Sequence, residues 1–186
     1  MAVKQFSVSE VLTASDTNTY LANSGLVYVA SGSFTGASTI DITGFSSTYK
    51  YYRLEFSAKR ADASGNTTLY AQLYSGATAR TTSYYASAFF TSYLGTTGVG
   101  YTSNNGSSFL FGLADSGGPN ITTYDLNGMT SDIFTYSGNF WDYGNARQYI
   151  SGGSHIVSET NDKIRLVTAS PATVTGNWRL YGYREP

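Results

Sequence analysis

From Leu26 onward the chain alternates apolar and polar residues with a period of two, and short Gly-, Ser-, Asn- and Asp-rich clusters break the alternation. The clearest run is Tyr51-Tyr52-Arg53-Leu54-Glu55-Phe56, where Tyr52, Leu54 and Phe56 face one way and Tyr51, Arg53 and Glu55 the other. The stretch 68–74 repeats the pattern, setting Leu69, Ala71 and Leu73 against Tyr70, Gln72 and Tyr74. Short β-branched or alternating runs also predict strands over 26–30 and 39–42, and near 83–90, 107–113, 121–126, 131–136, 147–157, 162–168 and 175–183. The clusters at 64–66, 104–106, 116–119 and 151–153 supply turn chemistry. Asn127-Gly128, between two β runs, signals a type I′ hairpin.

Many short strands spaced by turns predict an all-β fold: an antiparallel β-sandwich, jelly-roll-like, with one wet face on its sheets. The first 25 residues read differently. Thr13 can cap a helix start, Asp16 suits the positive end of the helix dipole, and Asn23-Ser24-Gly25 is a stop signal. A helix over 14–23 is expected. One so short is marginal alone and needs something to dock on. The expected division is a docking arm over 1–25 and a β-sandwich domain over 26–186.

Composition narrows the chemistry. The chain has 186 residues, no cysteine, one histidine, charged residues at 12% and a net charge of −1. Disulfides, thiolate metal sites and thiol nucleophiles are thereby excluded, and no basic patch exists to hold nucleic acid. A lone histidine without cysteine argues against zinc, and no acidic run matches a calcium loop. No cofactor or metal is expected. His155 lies in a strand-like run with no nucleophile elbow before it, and reads as a rim or sheet-face residue. Asp132 with Asp142, or Glu55 with Asp62, could be imagined as glycosidase acids, but any β protein offers such pairs. No enzyme is expected. The opening Met1–Glu10 lacks a signal-peptide core and no run is long enough to span a bilayer, so synthesis in a cytoplasm is expected.

The 17 Tyr, 10 Phe and 2 Trp suggest subunit contacts, where one end of a ring is dry and the other wet. Ser137–Asn145 interrupts the strand pattern and reads as a loop. Its Asn139, Phe140, Trp141, Asp142 and Tyr143 combine stacking faces with hydrogen-bonding groups, and are the candidate glycan contacts. The alternative is that these rings cover the core or meet a neighbouring subunit.

Three segments carry a resemblance. Glu10-Val11-Leu12-Thr13-Ala14-Ser15-Asp16-Thr17-Asn18-Thr19-Tyr20-Leu21 resembles the G-E-V-L-T-A-A-D-x-N-x-Y-L opening of phage tail-fibre and minor structural proteins, with Ser9 where Gly is common. Phe45–Arg53 is similar to their F-x-S-x-Y-x-x-Y-R strand opening, and Gly176–Arg184 to the closing strand of β-sandwich virion proteins from marine and cyanobacterial phages. The resemblance implies a non-enzymatic bacteriophage virion structural protein on the particle surface: a capsid decoration or head fibre, or a tail-fibre or tail-tip component. It implies docking to other capsid or tail proteins through Val11, Leu12, Asp16, Tyr20 and Leu21, self-association, often as a homotrimer, and a place in the virion. The second expectation is a carbohydrate-binding module that recognises a host surface glycan for a phage tail.

Overall fold

The computed structural model describes residues 25–183, apart from 63–64, 93–94, 96, 131, 144 and 170–171. The expected helix over 14–23 and the residues expected to dock, Val11, Leu12, Asp16, Tyr20 and Leu21, lie outside the described residues. The described chain is all-β. Its strands are β1 (Leu26–Ala37), β2 (Thr39–Thr43), β3 (Tyr51–Arg60), β4 (Asn66–Ser75), β5 (Thr78–Ala79), β6 (Tyr84–Ser92), β7 (Thr97–Gly106), β8 (Phe109–Asp115), β9 (Asn120–Asn127), β10 (Phe134–Asp142), β11 (Arg147–His155), β12 (Lys163–Thr168) and β13 (Val174–Tyr183).

Pairing divides them into two antiparallel runs. The longer reads β1-β13-β3-β9-β10-β11-β6-β7, and the shorter β2-β12-β4-β8, with β5 beside β4. One parallel pairing, Lys59 with Asp115, joins the runs. The chain crosses from the longer to the shorter at Ser38, between β1 and β2.

Alternation explains why these residues form these strands. In β3 the inward positions Tyr52, Leu54 and Phe56 are buried, as are Leu69, Ala71 and Leu73 in β4. Burying each such side chain contributes roughly 1.5–3 kcal/mol, enough to fix the register, because a slip of one residue would turn every one of them outward. Inward side chains of both runs meet in one cluster. Phe56 of β3 meets Phe111 of β8 edge to face at 5.2 Å. The Tyr124 hydroxyl of β9 donates to the Phe111 carbonyl at 2.7 Å and pairs with Ser151 Oγ at 2.6 Å. The far end of the longer run also reaches the shorter one, for the Leu73 amide donates to the Tyr84 hydroxyl of β6 at 2.7 Å.

Three expectations need correction. First, 137–142 is no loop: it belongs to β10, paired with β9 on one side and β11 on the other. Its Gly, Asn and Ser disguised a strand whose inward positions are aromatic. Second, Asn127-Gly128 is not a two-residue turn. β9 and β10 do form an antiparallel pair, but residues 128–133 connect them. Gly128 takes the left-handed turn at φ 74°, and Met129 then drops into the core, which a two-residue loop could not allow. Third, 151–153 lies inside β11, paired on both sides, and 104–106 is the end of strand β7, rather than either being a turn. Asn105 supplies a left-handed residue there, φ 57°, and its side chain accepts from the Ser83 amide at 3.1 Å.

Candidate functional site

Strand β10 sorts the candidate glycan contacts by parity. Phe140 and Asp142 point inward and are 0% exposed, while Asn139 and Trp141 point outward. Phe140 stacks on Tyr149 with ring centres 4.6 Å apart. Asp142 accepts from the Asn145 amide at 3.3 Å and from its side chain at 2.8 Å, which ties the end of β10 to the following turn. Tyr143 lies against the backbone of Gly117 and Gly118, and its amide donates to Asn120 Oδ1 at 3.1 Å. The five residues therefore do not converge on one surface, because a strand sends successive side chains to opposite faces.

The imagined carboxylate pairs do not converge either. Asp132 precedes the start of β10 and Asp142 ends it, so the length of the strand, roughly 26 Å, lies between them, far beyond glycosidase spacing. Glu55 lies roughly 17 Å of strand before the end of β3, and Asp62 lies beyond that end. Asp62 is held by Arg60 at 3.0 Å, which lowers its pKa, and by the Thr173 amide. No group of three or more His, Asp or Glu fit to hold a metal occurs among the described residues, and no helix among them is long and apolar enough to cross a membrane.

His155 ends β11 on its inward side, not on a rim. It is buried, with its ring centre 4.8 Å from that of Tyr84 and its Nε2 3.7 Å from Glu159. Glu159 is also held by Arg80 at 2.9 Å. Burial dominates and pushes the imidazole pKa down; Glu159 pulls it up and Arg80 opposes. Its Nδ1 is buried without a hydrogen-bond partner among the described residues. The unfolded chain then binds this proton more readily than the folded one. The contribution is complete above the unfolded value of about 6.5, and is lost as pH falls from there through the depressed folded value. Melting temperature should therefore drop between pH 7.5 and pH 5, a window above the range of Asp41 and Asp62, whose pKa values are lowered. In His155→Leu that drop should shrink; an unchanged drop would remove His155 as its source.

The outward face of the longer run carries the two features left to consider. The first is apolar. Phe89 of β6 pairs with Ile150 of β11, and Ile150 with Asn139 of β10. Trp141 and Ile121 lie one outward step beyond Asn139 and its partner Thr123, on neighbouring ends of β10 and β9. Ile150 is 68% and Phe89 57% exposed. Across the outward positions of β6, β9, β10 and β11 the only charged side chain is Asp125.

The second feature is a groove of about 520 Å³ where β13, β3, β9 and β10 lie side by side. Its outward lining is Tyr183, Tyr51, Asp125, Asn127, Thr135 and Ser137. Register explains the convergence: Tyr183 pairs with Tyr51, Tyr51 with Asn127, and Asn127 with Thr135, while Asp125 pairs with Ser137 one step along. Arg53 grips Asp125 in a fork, Nε to Oδ1 at 2.9 Å and Nη2 to Oδ2 at 3.1 Å. The Tyr183 hydroxyl donates to the same Oδ1 at 3.2 Å, and the Arg53 guanidinium lies 5.8 Å from the Tyr183 ring centre. The carboxylate is thus fixed in place with one side open to solvent. Sequence reasoning put Tyr51 and Arg53 on the outward face of their strand, but Asp125 and Asn127 become their neighbours only through strand pairing.

No family model matches the chain, and no curated protein or solved structure matches it significantly.

Proposed function

We propose that the chain is a non-enzymatic structural protein of a bacteriophage particle surface, built as a jelly-roll β-sandwich that self-associates and docks through residues 1–25. The strand order supports the sandwich. With β1, β2, β3, β4, β8, β9, β12 and β13 counted in chain order as one to eight, the runs contain 1-8-3-6 and 2-7-4-5. Those are the two sheets of a double Greek key. On this reading β6–β7 and β10–β11 are insertions that lengthen one sheet by four strands.

The observation that carries the functional reading is the outward patch of Phe89, Ile150, Trp141 and Ile121 on β6, β11, β10 and β9, which contains no charged side chain. Exposed apolar area of this kind marks a surface that meets a protein partner. Further copies of the chain suit it, because gathering such patches about one axis brings no like charges into contact and desolvates no ion. A particle component is the role that unites this face with the three segments resembling virion proteins. The alternative, a glycan-recognition module acting through 139–143, loses its support with the burial of Phe140 and Asp142.

The test is the mass of the purified chain by light scattering. A homotrimer is expected, and Ile150→Glu should give a folded monomer, since a carboxylate at the centre of the patch would have to be buried unpaired. A chain lacking residues 1–24 should keep its oligomeric state and disappear from purified particles. A monomeric wild type would overturn self-association, and a truncated chain still on the particle would overturn docking through the arm.

A further inference from the structure

We infer that the groove between Tyr51, Tyr183 and Asp125 is a binding site for a neutral saccharide. The inference rests on the groove alone and not on the particle reading.

Size comes first. About 520 Å³ falls inside the roughly 300–1,000 Å³ range of small-molecule sites, and the groove is open along one side, as an oligomer with two free ends requires. Charge comes next. At its centre the Arg53 guanidinium and the Asp125 carboxylate cancel in a two-point ion pair. A phosphate or an amine meets no net charge there to offset its desolvation. A sugar hydroxyl does gain, because it can donate to the carboxylate and accept from the guanidinium at once, and charge-assisted hydrogen bonds are the strong ones.

The walls complete the argument. Tyr51 and Tyr183 are cross-strand partners, and Tyr51 is 41% exposed, so aromatic surface stands ready for the C–H face of a pyranose. On the opposite wall Asn127, Thr135 and Ser137 present an amide and two hydroxyls on adjacent strands about 4.8 Å apart. That spacing is comparable to the width of a sugar ring, so neighbouring hydroxyls of one residue can each meet a partner.

The experiment is isothermal titration of the full chain with lactose, maltotriose, cellotriose and mannotriose, with 3′-sialyllactose as the anionic comparator. At least one neutral sugar should bind. Tyr51→Ala and Asp125→Ala should each weaken it about tenfold or more, the loss expected for one stacking or charge-assisted contact. Both positions are outward on the sheet, so the variants should keep the wild-type circular dichroism, and Trp141→Ala should leave the affinity unchanged. The inference is overturned if no neutral sugar binds, if 3′-sialyllactose alone binds, or if Tyr51→Ala and Asp125→Ala both bind like wild type. None of these outcomes alters the solution mass or the place on the particle, so failure here is distinct from failure of the structural reading.

Discussion

Replacing Phe109 with alanine is expected to cost about 3–5 kcal/mol of unfolding free energy, the range for removing a fully buried phenylalanine ring. Phe109 opens β8 in the shorter run and is 1% exposed. Its ring stacks on Tyr136 at 4.3 Å and lies 5.9 Å from Phe134, both in β10, and 5.8 Å from Tyr84 in β6. No backbone hydrogen bond joins β8 to β6 or β10 in the strand pairing, so these rings, together with the Leu73–Tyr84 hydrogen bond, hold that end of the longer run against the shorter one. Alanine would leave a cavity lined by three rigid rings that cannot close without moving two strands. Urea unfolding followed by far-ultraviolet circular dichroism measures the loss. A change below about 1 kcal/mol would mean that the rings collapse into the space and that the contact is not structural.

Gly176→Ala is the second large effect. Gly176 sits in β13 with Phe34 of β1 on one side and Ala58 of β3 on the other. A β-carbon there would overlap the Ser57 carbonyl oxygen and come within 2.9 Å of Ala58 Cα. Both obstacles are backbone, so no side-chain rotation relieves them; β3 or β13 has to shift. Because β13 is paired along both edges, a shift disturbs two ladders at once. The expected cost is on the order of 3 kcal/mol, the upper end for overpacking. Asn177→Ala, at the adjacent outward position, should stay within about 0.5 kcal/mol. Equal urea midpoints for the two variants would show that the strands at Gly176 have more room than their spacing implies.

These two sites show the division between what could be read along the chain and what could not. The alternation at 51–56 and 68–74 was legible because a half-buried strand must place apolar residues at every second position, and that constraint is local. The special role of Gly176 was not legible: as a letter it is one of 20 glycines, and only the approach of β3 distinguishes it. Strand β10 was misjudged for a related reason. Ser137, Gly138 and Asn139 have poor strand propensity, but pairing with β9 and β11 overrode it, since Phe134, Tyr136 and Phe140 all enter the core. His155 read as a strand residue, yet which face it occupied depended on the register of β11.

By itself, the amino-acid sequence determined the all-β class, most strand positions, the inward faces of β3 and β4, and the absence of thiol chemistry. All of these follow from composition or from period-two patterning, which each segment carries within itself. Tertiary structure decided the order 1-13-3-9-10-11-6-7 and its partner run, the inward turn of Phe140 and Asp142, and the meeting of Tyr51, Arg53, Asp125 and Tyr183 on one face. Arg53 and Asp125 are 72 positions apart in the chain. Nothing local links them; they become partners because the hydrophobic faces of β3 and β9 can both be buried only when those strands lie side by side in that register.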